Sequence, residues 1–84
     1  MSINIDNLEQ RVKTVLANVL AVAPDSISDD ASPDNIESWD SVAHMNLIMA
    51  LEEEFAAQFT DAQIVDLMSY ELIVMTLKEI AANG

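Results

Sequence analysis

Cysteine is missing from this chain, and glycine and proline are scarce, with one and two occurrences in 84 residues. Without cysteine, no disulfide can stabilise the fold, and no thiol of the chain itself can do chemistry. A β-sandwich or barrel needs many turn residues, which glycine and proline usually supply. Because Ala, Leu, Ile, Val and Met are abundant instead, the composition predicts an all-α protein.

Basic residues are nearly as scarce. Three lysines and arginines stand against fifteen acidic residues, which gives a formal net charge of −12. Nucleic acids and anionic membranes repel such a surface, so neither is an expected partner. A protein with a basic surface patch is attracted, and charge should raise its association rate. The same acidity could simply keep a small protein in solution, so composition alone leaves both interpretations open.

Long apolar runs are also missing. No stretch approaches the ~18 residues that a membrane span requires. The N-terminal segment MSINIDNLEQ lacks the basic and apolar regions of a signal peptide, so we expect a cytoplasmic location. A chain of 84 residues is expected to form a single domain, residues 1–84, around a small core.

Apolar periodicity predicts four helices and a long first loop. The first helix begins at Asp6, where Glu9 completes a capping-box-like pair, and it stops before Pro24. The segment 24–40 is rich in Asp, Ser, Asn and Pro, and we expect an ordered loop there. Three apolar side chains can anchor that loop to the core: Ile27, Ile36 and Trp39.

The second helix is predicted to begin at Asp40 or Ser41, with Asp40 as its N-cap, and to end near Ala57. Two further helices each follow a capping residue. The third helix, Asp61–Leu67, follows Thr60, and Gln63 completes a capping box with it. The fourth helix, Tyr70–Ala82, follows Ser69 and is ended by Asn83 and Gly84.

A helical wheel at ~100° per residue divides the second helix into two apolar arcs. The arc that faces the core contains His44, Leu47, Ile48, Leu51 and Phe55. The other arc has Val42 and Met49 beside Asn46 and Glu53. Apolar side chains rimmed by polar ones are typical of a protein contact patch. Single exposed apolar residues are also common on any surface and need no function.

Acidic residues 52–54 stand near the C-terminal end of this helix, where the helix dipole favours cations. A local mismatch of this kind can mark a functional surface. At the other end, Asp40 and Ser41 join the loop to the helix. The first turn of a helix stabilises a phosphate ester through its free N–H groups and positive dipole end. An Asp-Ser pair is also an ordinary helix cap, so the pair alone decides nothing.

A longer pattern surrounds that pair. The segment WDSV at 39–42, followed by NLIMALEEEF at 46–55, closely resembles acyl carrier proteins. Their signature is Asp-Ser-Leu opening a helix that ends in a Leu-Glu-Glu-Glu-Phe-like run. The resemblance covers nearly the whole chain, including APDSI at 23–27 and FTD at 59–61. It implies a four-helix acyl-carrier-type bundle with a long first loop and a short third helix.

The resemblance also implies a function. Ser41 matches the serine that a phosphopantetheinyl transferase esterifies with 4'-phosphopantetheine from coenzyme A, and the thiol of that arm carries acyl groups as thioesters. Beside Ser41, other residues match positions that contact partner enzymes in such carriers: Asp40, Val42, Met49, Glu52 and Glu53. The expected partners are the transferase, an acyl ligase or acyltransferase, and synthase-type enzymes with basic patches. No metal is expected, and the carrier should be a non-catalytic monomer.

The resemblance further implies a short apolar chamber for the acyl chain, lined by His44, Leu47, Leu51 and Phe55 of the second helix and by the fourth helix. We expect His44 to narrow or polarise one wall and so to favour short or polar acyl groups. Residues 37–39 read ESW, where fatty-acid-synthesis carriers usually have Leu-Gly-Ala or similar, and the third helix is less acidic than usual. These departures indicate a stand-alone specialised carrier, and the pathway stays open between fatty acid, polyketide and related chemistry.

Three other functions compete with a carrier. A catalytic triad of Ser41, His44 and Asp40 is disfavoured because Asp40 directly precedes Ser41 and is poorly placed to orient the imidazole. A calcium loop starting at Asp25 fails because Ile27 and Ile36 occupy ligand positions. The remaining alternative is an acidic helical interaction module of the same fold, with Ser41 unmodified and no prosthetic group.

Overall fold

The computed structural model describes residues 7–83, and this part of the chain contains four α-helices. They are α1 (Leu8–Leu20), α2 (Ser41–Phe55), α3 (Asp61–Asp66) and α4 (Tyr70–Asn83). A single 3₁₀ turn, Pro24–Ser26, opens the loop between α1 and α2 and was not predicted. No strand occurs between residues 7 and 83, so the predicted all-α fold with a short third helix is confirmed.

The core lies between the helices and consists mainly of their apolar faces and of apolar side chains of the long loop, with Ala57, Phe59 and Leu67 added by the connections on either side of α3. Its fully buried side chains include Val12, Leu16 and Leu20 of α1, Leu47, Ile48 and Leu51 of α2, and Ile73 and Leu77 of α4. The predicted core arc of α2 is confirmed, since His44 and Phe55 are buried with it. No helix of the described residues has the length and apolarity to cross a membrane.

The long loop is ordered, as expected. Ile27 and Trp39 are buried, and Ile36 is partly buried against the core. Two hydrogen bonds hold the loop, one in its middle and one near its end: the Tyr70 N–H donates to the Ala31 carbonyl at 2.9 Å, and the Ser38 hydroxyl donates to the Leu20 carbonyl at 2.8 Å. The loop therefore leads to α2 along a fixed path.

Helix boundaries differ from the predictions by one or two residues. The second helix ends at Phe55 and not near Ala57, because Ala56 turns into the left-handed region with φ 51°. The third ends at Asp66, one residue before Leu67, and the fourth reaches Asn83, although Gly84 lies outside the described residues. The first helix begins at Leu8 and not at Asp6, because Asn7 is its N-cap, in left-handed backbone with φ 56° and without a side-chain cap hydrogen bond. Asp6 itself lies outside the described residues.

Candidate functional site

Ser41 is the first residue of α2, and it is exposed. The preceding residue, Asp40, lies in extended backbone and accepts a hydrogen bond through Oδ1 from the Ala43 N–H at 2.8 Å. Asp40 is therefore the N-cap, as predicted. Within residues 7–83, the Ser41 hydroxyl makes no hydrogen bond, so it is free to react.

The start of α2 suits an anion. The N–H groups of Ser41 and Val42 have no carbonyl to pair with inside the helix, because they precede its first complete turn. They add to the positive end of a dipole that extends over 15 residues. A phosphate ester on Ser41 would lie beside these donors. The residues present therefore fit a phosphate-linked group.

A buried hydrogen-bonded pair lies directly behind this helix start. The indole Nε1 of Trp39 donates to Nδ1 of His44 at 3.1 Å, and Nε2 of His44 lies 2.8 Å from the Ile64 carbonyl of α3. An indole N–H can only donate and a carbonyl can only accept. The ring of His44 is therefore neutral, with its proton on Nε2.

These contacts exclude the catalytic triad. A base that activates Ser41 needs an unprotonated ring nitrogen within reach of the hydroxyl. Nδ1 of His44 already accepts from Trp39, and Nε2 holds its proton against Ile64. His44 has no nitrogen left for Ser41, and we assign it a structural role.

The residues predicted to line an acyl chamber are together in the core. His44, Leu47, Leu51 and Phe55 are each no more than 7% exposed. Grooves of about 470 and 580 Å³ lie elsewhere, between α1 and α4 and between the end of α1 and the long loop. A chain that reached Leu47 or Leu51 would have to part the helices. The chamber stays a prediction.

The predicted contact arc of α2 is exposed. Val42 is 72% and Met49 64% exposed, and Glu53 also faces solvent. Met45, at 52% exposure, lies three residues after Val42 and extends the same face, although the wheel interpretation did not include it. The three-residue spacing from Val42 was the sequence feature that could have predicted the place of Met45 on this face. We call Val42, Met45, Met49 and Glu53 the contact stripe.

The other acidic residues at the end of α2 have internal partners. The Glu52 carboxylate accepts a hydrogen bond from the Phe59 N–H at 3.0 Å, and Glu52 is only partly exposed. Glu54 accepts from Nε of Arg11 at 2.9 Å. Structural contacts therefore partly explain why acidic residues stand at this end of the helix. Of Glu52, Glu53 and Glu54, it is Glu53 whose carboxylate stays available to a partner protein.

Two acidic residues of the loop make contacts with other side chains. The Ser28 hydroxyl donates to Asp30, and Oδ1 of Asp29 lies 3.4 Å from Nζ of Lys13 in α1. In the part of the chain described, no three carboxylate or imidazole side chains gather closely enough to share a metal ion.

Residues 10–80 match the family model described as the phosphopantetheine attachment site. The match spans α2, α3 and the long loop completely, and it includes the exposed serine at the start of α2.

Proposed function

Because the chain belongs to the phosphopantetheine attachment site family, and so to the acyl carrier proteins, we propose that Ser41 is the residue that bears its 4'-phosphopantetheine. Family membership implies a covalently attached arm and disfavours an interaction module without a prosthetic group. The arm supplies a thiol, which the chain itself lacks, and that thiol holds acyl groups as thioesters. The single observation that carries the assignment is the free, exposed Ser41 hydroxyl at the capped start of α2.

The attachment step needs little from the chain beyond presentation of the hydroxyl. Oγ of Ser41 forms the new bond to phosphorus, and the phosphoanhydride of coenzyme A breaks. The adenosine bisphosphate half leaves, and the hydroxyl proton passes to a base of the transferase. Asp40 holds the first turn of α2 through Ala43, which fixes the position of Oγ. The free N–H groups of the turn then stabilise the phosphodiester.

We propose that partner enzymes dock on the contact stripe next to the arm. Three exposed apolar side chains and Glu53 lie on one face of α2, and the arm begins at the N-terminal end of that face. Basic patches on a phosphopantetheinyl transferase, an acyl ligase or acyltransferase, and synthase-type enzymes would complement the net charge of −12. Asp40 and Glu52 belong to the same proposed surface, although both carboxylates also bind backbone N–H groups.

We propose one non-catalytic carrier domain over residues 1–84, acting as a monomer in the cytoplasm, where coenzyme A is available. Its pathway is fatty acid, polyketide or related acyl chemistry. The ESW segment before Asp40 supports a specialised stand-alone carrier over one of general fatty acid synthesis.

Intact-mass spectrometry tests the attachment site. The wild type, Ser41→Ala and Ser38→Ala are each incubated with coenzyme A and a phosphopantetheinyl transferase. Wild type and Ser38→Ala should gain the mass of one arm, and Ser41→Ala should gain none. Ser38 is the matched control because it is the nearest other serine and its hydroxyl bonds the Leu20 carbonyl. A mass gain on Ser41→Ala would move the site elsewhere, and an unmodified wild type would overturn the carrier assignment.

A further inference from the structure

His44 is a buried polar residue in an otherwise apolar core, with 7% of its surface exposed. Its ring lies beside that of Trp39, with the centroids 6.2 Å apart and the planes inclined by 23°, and it hydrogen-bonds the Trp39 indole and the Ile64 carbonyl. Both ring nitrogens are therefore used, and each contact reaches a different element: the end of the long loop on one side and α3 on the other.

The bond to α3 has a specific structural reason. A helix leaves its last carbonyls without intrahelical partners, and α3 has only six residues. The Met68 N–H, which would pair with the Ile64 carbonyl if the helix continued, bonds the Asp66 carbonyl instead. The Nε2–H of His44 supplies the missing donor. His44 thus fastens α3 to α2.

Little else within α3 holds it against the bundle. None of its residues is fully buried, and Ile64 is only partly buried against the core. An element with few buried apolar contacts opens at low free energy. The buried side chains of Phe59 and Leu67 hold the two ends of α3 to the core, and the His44–Ile64 hydrogen bond joins α3 directly to α2 between them.

His44 also lies one turn beyond Ser41, since the two residues are three apart in α2. An acyl chain that is tethered at Ser41 and enters the core between α2 and α3 must pass His44 before it reaches Leu47 or Leu51. Separating α3 from His44 would break this part-buried hydrogen bond, and a group left without a partner inside the protein costs free energy. If the His44 ring turned, the Trp39 indole N–H would also lose its acceptor, Nδ1 of His44.

We infer that His44 is the specificity-determining residue of this carrier. The hydrogen bond from His44 to Ile64 prevents long apolar acyl chains from entering the core, a statement that rests on the proposed function. The groups carried are then short ones, or longer ones polar enough to remain in water.

The test attaches chains chemically, so it needs no transferase. The chain has no cysteine, so Ser41→Cys gives a unique thiol. Butyl and tetradecyl groups on a spacer of pantetheine length are joined to it as thioethers, with His44 retained, with His44→Leu and with His44→Gln. Leucine fills the site without hydrogen bonds, while glutamine keeps an N–H donor for Ile64 and is the matched control.

Thermal unfolding gives the readout. With His44 or glutamine, the tetradecyl group should leave the melting temperature unchanged relative to butyl. With leucine, it should raise the melting temperature by about 4 °C or more, because the chain now enters the core. An equal rise with His44 and with leucine would overturn the inference. So would no rise with leucine.

A second measurement decides the matter even if His44→Leu fails to fold. NMR on the carrier with His44 follows the Nε2–H proton of His44 and the methyl groups of Leu47 and Leu51. The tetradecyl group should leave all of these signals where butyl leaves them. Methyl shifts with the Nε2–H signal preserved would show a chain entering past an intact bond and would refute the inference. A wild type that takes no arm from coenzyme A would instead refute the proposed function alone.

Discussion

Arg11 of α1 contacts Glu54 of α2 twice: Nε donates to the carboxylate at 2.9 Å, and a terminal nitrogen donates to the Glu54 carbonyl at 3.0 Å. The guanidinium also lies 4.3 Å from the ring centroid of Phe55. Carbonyls at the C-terminal end of a helix lack intrahelical donors, and a cation there interacts favourably with the dipole. Arg11 therefore compensates, from another helix, for the acidic end of α2.

Replacing Arg11 should destabilise the fold measurably. Arg11→Ala loses the ion pair, the carbonyl contact and the ring contact together, so we expect a loss of about 1–2 kcal/mol in the free energy of unfolding. Arg11→Lys keeps the charge without the planar guanidinium group. Its free energy of unfolding should therefore lie between those of the wild type and Arg11→Ala. Urea unfolding measures both.

Lys78→Ala is the matched control for that series. It removes the same charge from an exposed ion pair. Nζ of Lys78 lies 3.4 Å from Oε1 of Glu9, and the two side chains are 55% and 63% exposed. Such exposed pairs contribute little. If Lys78→Ala is as costly as Arg11→Ala, net charge and not the contacts with Glu54 and Phe55 explains the effect.

The scarcity of glycine has a structural consequence at the ends of the helices. Ala21 after α1 and Ala56 after α2 both adopt left-handed backbone, with φ of 57° and 51°. Glycine usually occupies this position because a Cβ atom disfavours it. Ala56→Gly should therefore raise the free energy of unfolding by about 0.5–1 kcal/mol.

The opposite effect is expected inside the helix. Ala50→Gly makes the same chemical change in the right-handed interior of α2, where it should lower stability by about 1 kcal/mol. Thermal unfolding of the two variants beside the wild type compares them directly. A destabilised Ala56→Gly protein would show that the backbone at 56 is not left-handed in solution.

Much of the fold could be predicted from the sequence because its determinants are local. The capping box of Thr60 and Gln63 is present in both directions, and Ser69 accepts from the Leu72 N–H. The buried face of α2 follows from helical spacing. Each of these features depends on residues within one or two turns of one another.

Other parts could not be predicted, because they join residues far apart in the chain. The pairing of Arg11 with Glu54 joins positions 43 residues apart. The bond of His44 to the Ile64 carbonyl depends on where α3 ends, and no side-chain pattern specifies a main-chain acceptor. Sequence reasoning placed His44 on the core arc, but it gave neither its tautomer nor its two partners.

Tyr70 should make stability depend on pH in alkaline solution. Burial first, and then the charges of Glu9 and Asp29, raise the pKa of its phenol above the usual value of 10.0. The folded state therefore holds the proton more tightly than the unfolded chain. The stability that the protonated Tyr70 phenol contributes is fully present below pH 10, and it is lost as pH rises through the pKa of the folded state.

Tyr70→Phe removes that titration. Its free energy of unfolding should fall less steeply than that of the wild type above about pH 10, while the two curves stay parallel near neutrality. The Tyr70 hydroxyl makes only a long 3.5 Å contact with the Glu9 carbonyl, so the variant should remain folded. Parallel curves throughout the alkaline range would mean that the phenol titrates alike in both states.

The contact stripe should affect partner binding in two separable ways. Exposed charges chiefly raise association rates, whereas desolvated apolar contacts govern dissociation. Reversing Glu53 to Lys should therefore slow loading by the transferase at low salt, and the difference should shrink at high salt, where the Debye length is ~3 Å at 1 M. Met49→Ala should weaken loading at every salt concentration, because Met49 is 64% exposed on the same face and contributes apolar area.

Glu79→Lys separates the stripe from net charge. It makes the same reversal at an exposed position of α4, so it changes the overall field equally without touching α2. Initial loading rates across a salt series should show a larger loss for Glu53→Lys than for Glu79→Lys. Equal losses would mean that the transferase senses only total charge. If neither variant differs from wild type at low salt, the transferase recognises the loop around Ser41 alone, and α2 is not part of its docking surface.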